Sequence, residues 1–141
     1  MNYQLEIHVV DWHDKRDALQ GIRKAVFIDE QRVPKDLEWD GLDSTCTHFL
    51  ATIGSIPVAT ARLTPQGQIG RMAVLQHHRG KGIGSQLLKK VIAHAKHIGH
   101  KQVFVHAQVD VIKFYEQHGF IAEGEVFMDA GIEHQGMKML L

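Results

Sequence analysis

The chain has 141 residues, enough for one domain and one core. Its 44% apolar and 23% charged content is that of an ordinary globular protein, and 16 Lys plus Arg balance 16 Asp plus Glu, so no global field favours nucleic acid or a membrane surface. Cys46 is the single cysteine, which excludes an internal disulfide and fits a reducing compartment. Met1–Glu6 carries no basic-then-apolar leader and no apolar run nears the length of a membrane span, so the expectation is a cytoplasmic protein.

In chain order, Gln4 to Val10 alternates as a first strand, with Leu5, Ile7 and Val9 on one face. Asp14 is placed to cap a helix reaching about Glu30, whose apolar positions are Leu19, Ile22, Val26 and Phe27. Residues 32 to 46 hold Pro34, Gly41, Asp36, Glu38, Asp40 and Asp43, with Glu30 just upstream, and read as the longest loop. Thr47 to Ile53 and Ile56 to Leu63 flank Gly54-Ser55, a two-residue hairpin signature. Pro65-Gln66-Gly67 turns the chain into a strand over Gln68 to Leu75. A helix over Ser85 to His97, a buried strand over Lys101 to Gln108 and a short helix over Val109 to His118 follow. Two closing strands are expected over Phe120 to Met128 and His134 to Leu141, joined at Asp129-Ala130-Gly131. The order predicts a single α/β domain over residues 1–141 with a mixed central sheet of about six to seven strands.

The chemistry concentrates in Arg79-Gly80-Lys81-Gly82-Ile83-Gly84-Ser85, between a strand and a helix. Alternate glycines let backbone N–H groups turn toward a ligand, and the helix N-terminus adds its unpaired donors, which together suit a phosphate or pyrophosphate. A nucleotide P-loop does not fit, because Gly82 follows Lys81 where Ser or Thr is needed. A dinucleotide fingerprint fails on spacing and on its position after hairpin strands. A plain surface turn is the alternative.

The context decides among these. Arg79-x-x-Gly82-x-Gly84, preceded by Arg71-Met72-Ala73-Val74-Leu75 and followed one strand later by Phe114-Tyr115-x-x-x-Gly119-Phe120, resembles the GNAT superfamily of N-acetyltransferases. A narrower likeness covers Val26-Phe27-x-x-Glu30-Gln31-x-Val33-Pro34, Asp40-x-x-Asp43, His48, His106-Ala107-Gln108 and Asp129-Ala130-Gly131-Ile132-x-His134-x-x-Met137. It is similar to the YjcF/ElaA-like subgroup, whose acceptors are poorly defined.

The resemblance implies a GNAT-like fold in which a splayed strand pair holds acyl-CoA. It implies pantetheine pairing with the backbone of Met72, Ala73 and Val74, and pyrophosphate held by Arg79, Gly80, Lys81, Gly82, Ile83, Gly84 and Ser85. A bulge is expected to part the strand of Met72 from that of Lys101 to Gln108. Acetyl-CoA is then the co-substrate, with no metal. Tyr115 is expected to be the general acid for the leaving thiolate, because a phenol is protonated at neutral pH. Taken by itself it equally reads as a packing tyrosine. Glu30, Asp43 and His48 are candidates for the base or for acceptor binding, His106 flanks the slot, and an ordered water with no essential base stays open. The acidic loop reads either as a site for a cationic acceptor or as a solvated face. His94-x-x-His97-x-x-His100 reads as solvated histidines rather than a metal cluster.

The expected function is N-acetyl transfer from acetyl-CoA to a primary amine of a small molecule in a ternary complex, with neither nucleic acid nor membrane as partner. The alternatives are a non-catalytic CoA-binding sensor and a protein lysine acetyltransferase. Pairing of the C-terminal strand across a subunit edge is the expected route to a homodimer.

Overall fold

In the computed structural model, which describes residues 4–141, eight strands form two antiparallel sheets that meet edge to edge. Met1–Tyr3, on which part of the leader argument rests, lie outside the described residues. The first sheet runs β1 (Leu5–Val10), β2 (Thr47–Ile53), β3 (Ile56–Leu63), β4 (Ile69–Val74) in sequence order. In the second, β5 (Gln102–Gln108) pairs with β8 (Ile132–Leu140), which also pairs with the short β6 (Ile121–Ala122) and β7 (Phe127–Asp129). The two sheets are joined in parallel at one bridge, Gln68 to Phe104. The expected mixed sheet is therefore two antiparallel halves with a parallel seam. The expected strand over Phe120 to Met128 breaks into β6 and β7.

Local sequence explains the elements. Gly54 and Ser55 both adopt positive φ (56° and 70°), the backbone of the tight turn that matches strand twist, and Ile53 faces Ile56 across it. Helix α1 (Trp12–Arg23) is capped by Asp11, whose side chain accepts from the N–H groups of His13 and Asp14. Asp11 thus takes the capping role expected of Asp14, which sits one turn inside, where an acid suits the helix dipole. The helix runs on as a wider π-turn over Lys24–Glu30, with the N–H of Gln31 bonded to the Val26 carbonyl at 3.0 Å. The predicted loop contains a one-turn helix, α2 (Lys35–Glu38), and a 3₁₀ turn at Asp43–Thr45.

The core has two parts, one on each face of the first sheet. Phe49, Ala51, Val58 and Ala59 meet Ile83, Leu87, Leu88 and Val91 of α3 (Ile83–His97), and Val103, Val105 and Ala107 of β5 extend this layer. On the opposite face Leu50 and Ala73 meet Trp12, Leu19, Ile22 and Val26 of α1. Alternation along β2, with Phe49 and Ala51 one way and Leu50 the other, follows from the period of two. Each fully buried Leu or Ile contributes about 1.5–3 kcal/mol. The last helix, α4 (Ile112–Gln117), lies beside β5 and carries Tyr115 into the α3 layer.

Candidate active site

The register of β4 against β3 defines a slot. Leu63 faces Ile69 and Arg62 faces Gly70, but Thr60 faces Ala73 and Ala59 faces Val74. Two residues of β4, Arg71 and Met72, therefore stand opposite Ala61. The N–H of Leu75 bonds to the Val58 carbonyl at 2.9 Å, and that of Thr64 to the Gln68 carbonyl at 2.9 Å. Counting alternate residues from these bonds, Gly70 and Ala73 turn their backbone groups to β3, while Arg71, Met72 and Val74 turn theirs to the far edge. The extra residue thus falls at a widely spaced position, and it is Arg71, at φ 48°. Beyond the Gln68–Phe104 bridge no strand of the described residues pairs with that edge. The amides of Met72 and Val74 face the gap between β4 and β5.

Above the gap lies the glycine loop. Gly80 and Gly82 adopt φ 77° and 79°, and a Cβ at either would meet nothing within 4 Å. Glycine is needed there for backbone shape and to leave the concave side bare. Backbone bonding stops with the Arg79 N–H on the Gln76 carbonyl and resumes with the Gln86 N–H on the Gly82 carbonyl. The N–H groups between them, with those of Ile83, Gly84 and Ser85 at the start of α3, have no backbone acceptor among the described residues. They form an anion seat of main-chain donors. The Ser85 hydroxyl is 2.6 Å from His118 Nε2, while His118 Nδ1 is 2.8 Å from the Phe114 carbonyl. A carbonyl can only accept, so Nδ1 carries the proton, and in the neutral ring Nε2 accepts from Ser85. This fixes the start of α3 against α4.

Arg79 faces away from the seat. Its Nε donates to the Val74 carbonyl at 2.9 Å, and its two terminal nitrogens grip both oxygens of Glu30 at 2.6 and 2.8 Å. The bond from Arg79 holds the Glu30 carboxyl below its usual range. Tyr115 is buried, packed edge-on against Phe114 and Phe120, and its hydroxyl is 3.8 Å from the sulfur of Met72. Burial pushes the phenol up to about 12, so it is a neutral proton donor at physiological pH.

The glycine seat, the bulged strand and the buried tyrosine are the surroundings in which the sequence matches a known family. The model of the acetyltransferase (GNAT) domain matches residues 14–141. The chain belongs to the GNAT acetyltransferase family. The uncharacterized N-acetyltransferase YjcF of Bacillus subtilis (strain 168) is 32% identical, over 82% of this chain and 86% of that one. Protein ElaA of Escherichia coli (strain K12) is 35% identical, over 85% and 84%. The crystal structure of Escherichia coli ElaA superposes with a TM-score of 0.87 over 96% of this chain and 99% of that one. A GNAT acetyltransferase from Elizabethkingia anophelis, solved with acetyl-CoA bound, shares the fold at a TM-score of 0.70 and 21% identity, over 97% and 98%.

Within this GNAT chain, three of the loop acids turn to arginines of the fold, while Asp36 stays exposed. Glu38, Asp40 and Asp43 pair with Arg23, Arg62 and Arg71 in one network. Arg23 Nε meets Glu38 at 2.6 Å, and Asp43 Oδ1 receives Arg23 at 2.7 Å and Arg62 at 3.1 Å. Arg23 is 1% exposed, with its guanidinium between the Trp12 and Trp39 rings. Burial is the largest influence on Asp40 and pushes its carboxyl up. The bonds from Arg62 and the Leu42 N–H outweigh it and bring the carboxyl down to about 2. Asp43 therefore belongs to this network rather than to the slot. His48 is buried, stacked on Trp12 at 4.8 Å, with Nε2 2.8 Å from the Asp43 carbonyl. Burial pulls its imidazole down, and it too lies under α1 rather than in the slot. Among the described residues no cluster of His, Cys, Asp and Glu has metal-holding geometry. No helix of those residues is long and apolar enough to cross a membrane.

The residues missed from the sequence are Arg23, Arg62 and Arg71, with Gln31 and Gln108, which join the end of the π-turn to the end of β5 at 2.9 Å. One signal was available. Arg62 and Arg71 fall inside strands, where a charge needs a partner, and the nearby loop is rich in acids.

Proposed function

We propose that the protein transfers the acetyl group of acetyl-CoA to a primary amine of a small molecule, by direct attack in a ternary complex. The observation that supports this reading best is the wide bulge at Arg71 and Met72, which leaves backbone donors facing a gap, with the Tyr115 hydroxyl 3.8 Å from the Met72 sulfur. In this reading the Gly80–Ser85 donors take the pyrophosphate, and pantetheine extends along the free edge at Met72, Ala73 and Val74. The thioester carbonyl then lies against an N–H of that edge, which stabilises the oxyanion of the tetrahedral intermediate. The neutral amine attacks the carbonyl carbon, the C–S bond breaks, and the electron pair leaves on sulfur. Tyr115 supplies a proton to that sulfur. The apolar packing that raises the phenol also raises the basicity of a thiolate beside it, which keeps the two groups matched. The proton lost by the amine passes to water, since Glu30 is held by Arg79 and Asp43 and His48 are drawn into the buried network.

The place of Tyr115, its hydroxyl 3.8 Å from the Met72 sulfur on the bulged strand, favours an enzyme over a CoA-sensing protein, because a sensor has no use for a proton donor there. The test is release of free thiol from acetyl-CoA across a panel of small amines and lysine peptides. Turnover with a small amine and little with peptides is the expected result. Tight acetyl-CoA binding with no thiol release on any acceptor would favour the sensor.

A further inference from the structure

We propose that Arg71 is a positioning residue, whose guanidinium ties the bulge of β4 to the loop of α2 and so sets the direction of the slot-facing amides. The inference rests on the acyl-transfer reading for its kinetic consequence but not for its structural one. Three observations carry it.

The first is backbone strain at one place. Arg71 adopts φ 48°, a region that strains a non-glycine residue and persists only where the surroundings enforce it. The second is what enforces it. Arg71 Nη2 donates to the Leu37 carbonyl at 3.2 Å, the Glu38 carbonyl at 3.3 Å and Asp40 Oδ2 at 3.1 Å. Its Nε lies 3.1 Å from Glu38 Oε2, close enough for charge attraction although not aligned as a hydrogen bond. The third is that the tether's far end is itself anchored. Glu38 is gripped by buried Arg23, and Asp40 by Arg62 at 2.8 and 3.0 Å. Arg62 stands on β3 directly opposite Gly70, the last residue in register before the bulge. The network thus holds the bulge from its own residue and from the neighbouring strand.

The consequence is geometric. The N–H of Met72 follows the strained residue, so any relaxation of Arg71 toward extended backbone rotates that amide away from the slot. An amide aimed at a developing oxyanion matters more to the transition state than to cofactor binding, because the pyrophosphate seat and the rest of the pantetheine edge are untouched. Loss of the tether therefore lowers kcat and leaves acetyl-CoA affinity nearly unchanged.

Arg71→Gly is the informative variant. Glycine tolerates the backbone angle, so strain is relieved while the tether is lost. The expected result is a kcat reduced about 10- to 100-fold with the acetyl-CoA Kd within about threefold, and partial recovery of kcat in Arg71→Lys. Hydrogen exchange is a second readout that needs no turnover. Exchange at Ala73 and Leu75, whose amides face β3 beside the bulge, is expected to be at least about tenfold faster in Arg71→Gly, with amides of α3 unchanged. Unchanged kcat together with unchanged exchange overturns the proposal. Faster exchange in a chain that turns over no amine leaves the tether standing and sinks the acyl-transfer reading instead. Should Arg71→Gly fail to fold, Arg71→Lys with the same two readouts decides, and wild-type exchange and kcat in it count against the proposal.

Discussion

Two regions of this molecule, the strand edge and loop from Met72 to Ser85 and the charged stretch from Glu30 to His48, are built from different materials. From Met72 to Ser85 the site is backbone: a bulged strand edge, two left-handed glycines and the first turn of a helix. From Glu30 to His48 the sequence is rich in charge, yet Glu38, Asp40 and Asp43 are taken up by three arginines of the fold. A backbone site binds through groups that every residue has, so it reads cofactor shape and hardly depends on side-chain identity. A side-chain network spends its polar groups on itself, so its charge says little about the acceptor. Abundant charge in a loop is therefore poor evidence for a charged ligand unless the partners of that charge are known.

The largest effect that would break this contrast is in the network. Glu38→Ala takes one of two carboxylates from Arg23, buried between two tryptophans, and the facing charge from Arg71, and a stability loss of about 3 kcal/mol is expected in denaturant unfolding. A loss under about 1 kcal/mol would mean the loop is solvated after all. In the other region, Gly82→Glu puts a carboxylate in the seat and a side chain at φ 79°, and acetyl-CoA affinity by calorimetry should fall at least about 100-fold. Wild-type affinity would remove the seat from the account. Acid sharpens the comparison next. The Asp40 carboxyl is held at about 2, so its contribution is fully present above the unfolded value of about 4 and is lost as pH falls toward 2. Asp40→Asn should flatten the fall of thermal stability over that window. The smallest effect is at Glu30. Its pair with Arg79 is half exposed, so Glu30→Gln should cost no more than about 1 kcal/mol of stability.

What was legible in the sequence follows the same division. The glycine loop, the β4 stretch and the Tyr115 signature are each contiguous in sequence, so the family resemblance they carry could point to them before any packing was known. The hairpin at Gly54-Ser55, also contiguous, was readable as well. The surroundings of Asp43 and His48, candidates for the base or for acceptor binding, were not legible because their partners, Arg23, Arg62 and Trp12, lie 20, 19 and 36 positions away, and only the packing of α1 on the first sheet brings them together. The bulge was expected, but its placement at Arg71 was not, because a positive φ at an arginine has no sequence signature. The strand over Phe120 to Met128 was drawn too long. Its Gly124 turns left-handed at φ 80° and ends the pairing between β6 and β7.

In the proposed reaction Tyr115 donates a proton to the departing thiolate in a slot built from backbone. Burial sets its phenol at about 12, so an alkaline fall in kcat between pH 8 and 10 is not expected from this residue. The most direct measurement is kcat for thiol release by Tyr115→Phe against wild type from about pH 7 to 10, with acetyl-CoA Kd measured beside it. The account predicts a drop of about 100-fold or more at every pH, with Kd within about threefold. Equal kcat for the two proteins across that range would contradict it.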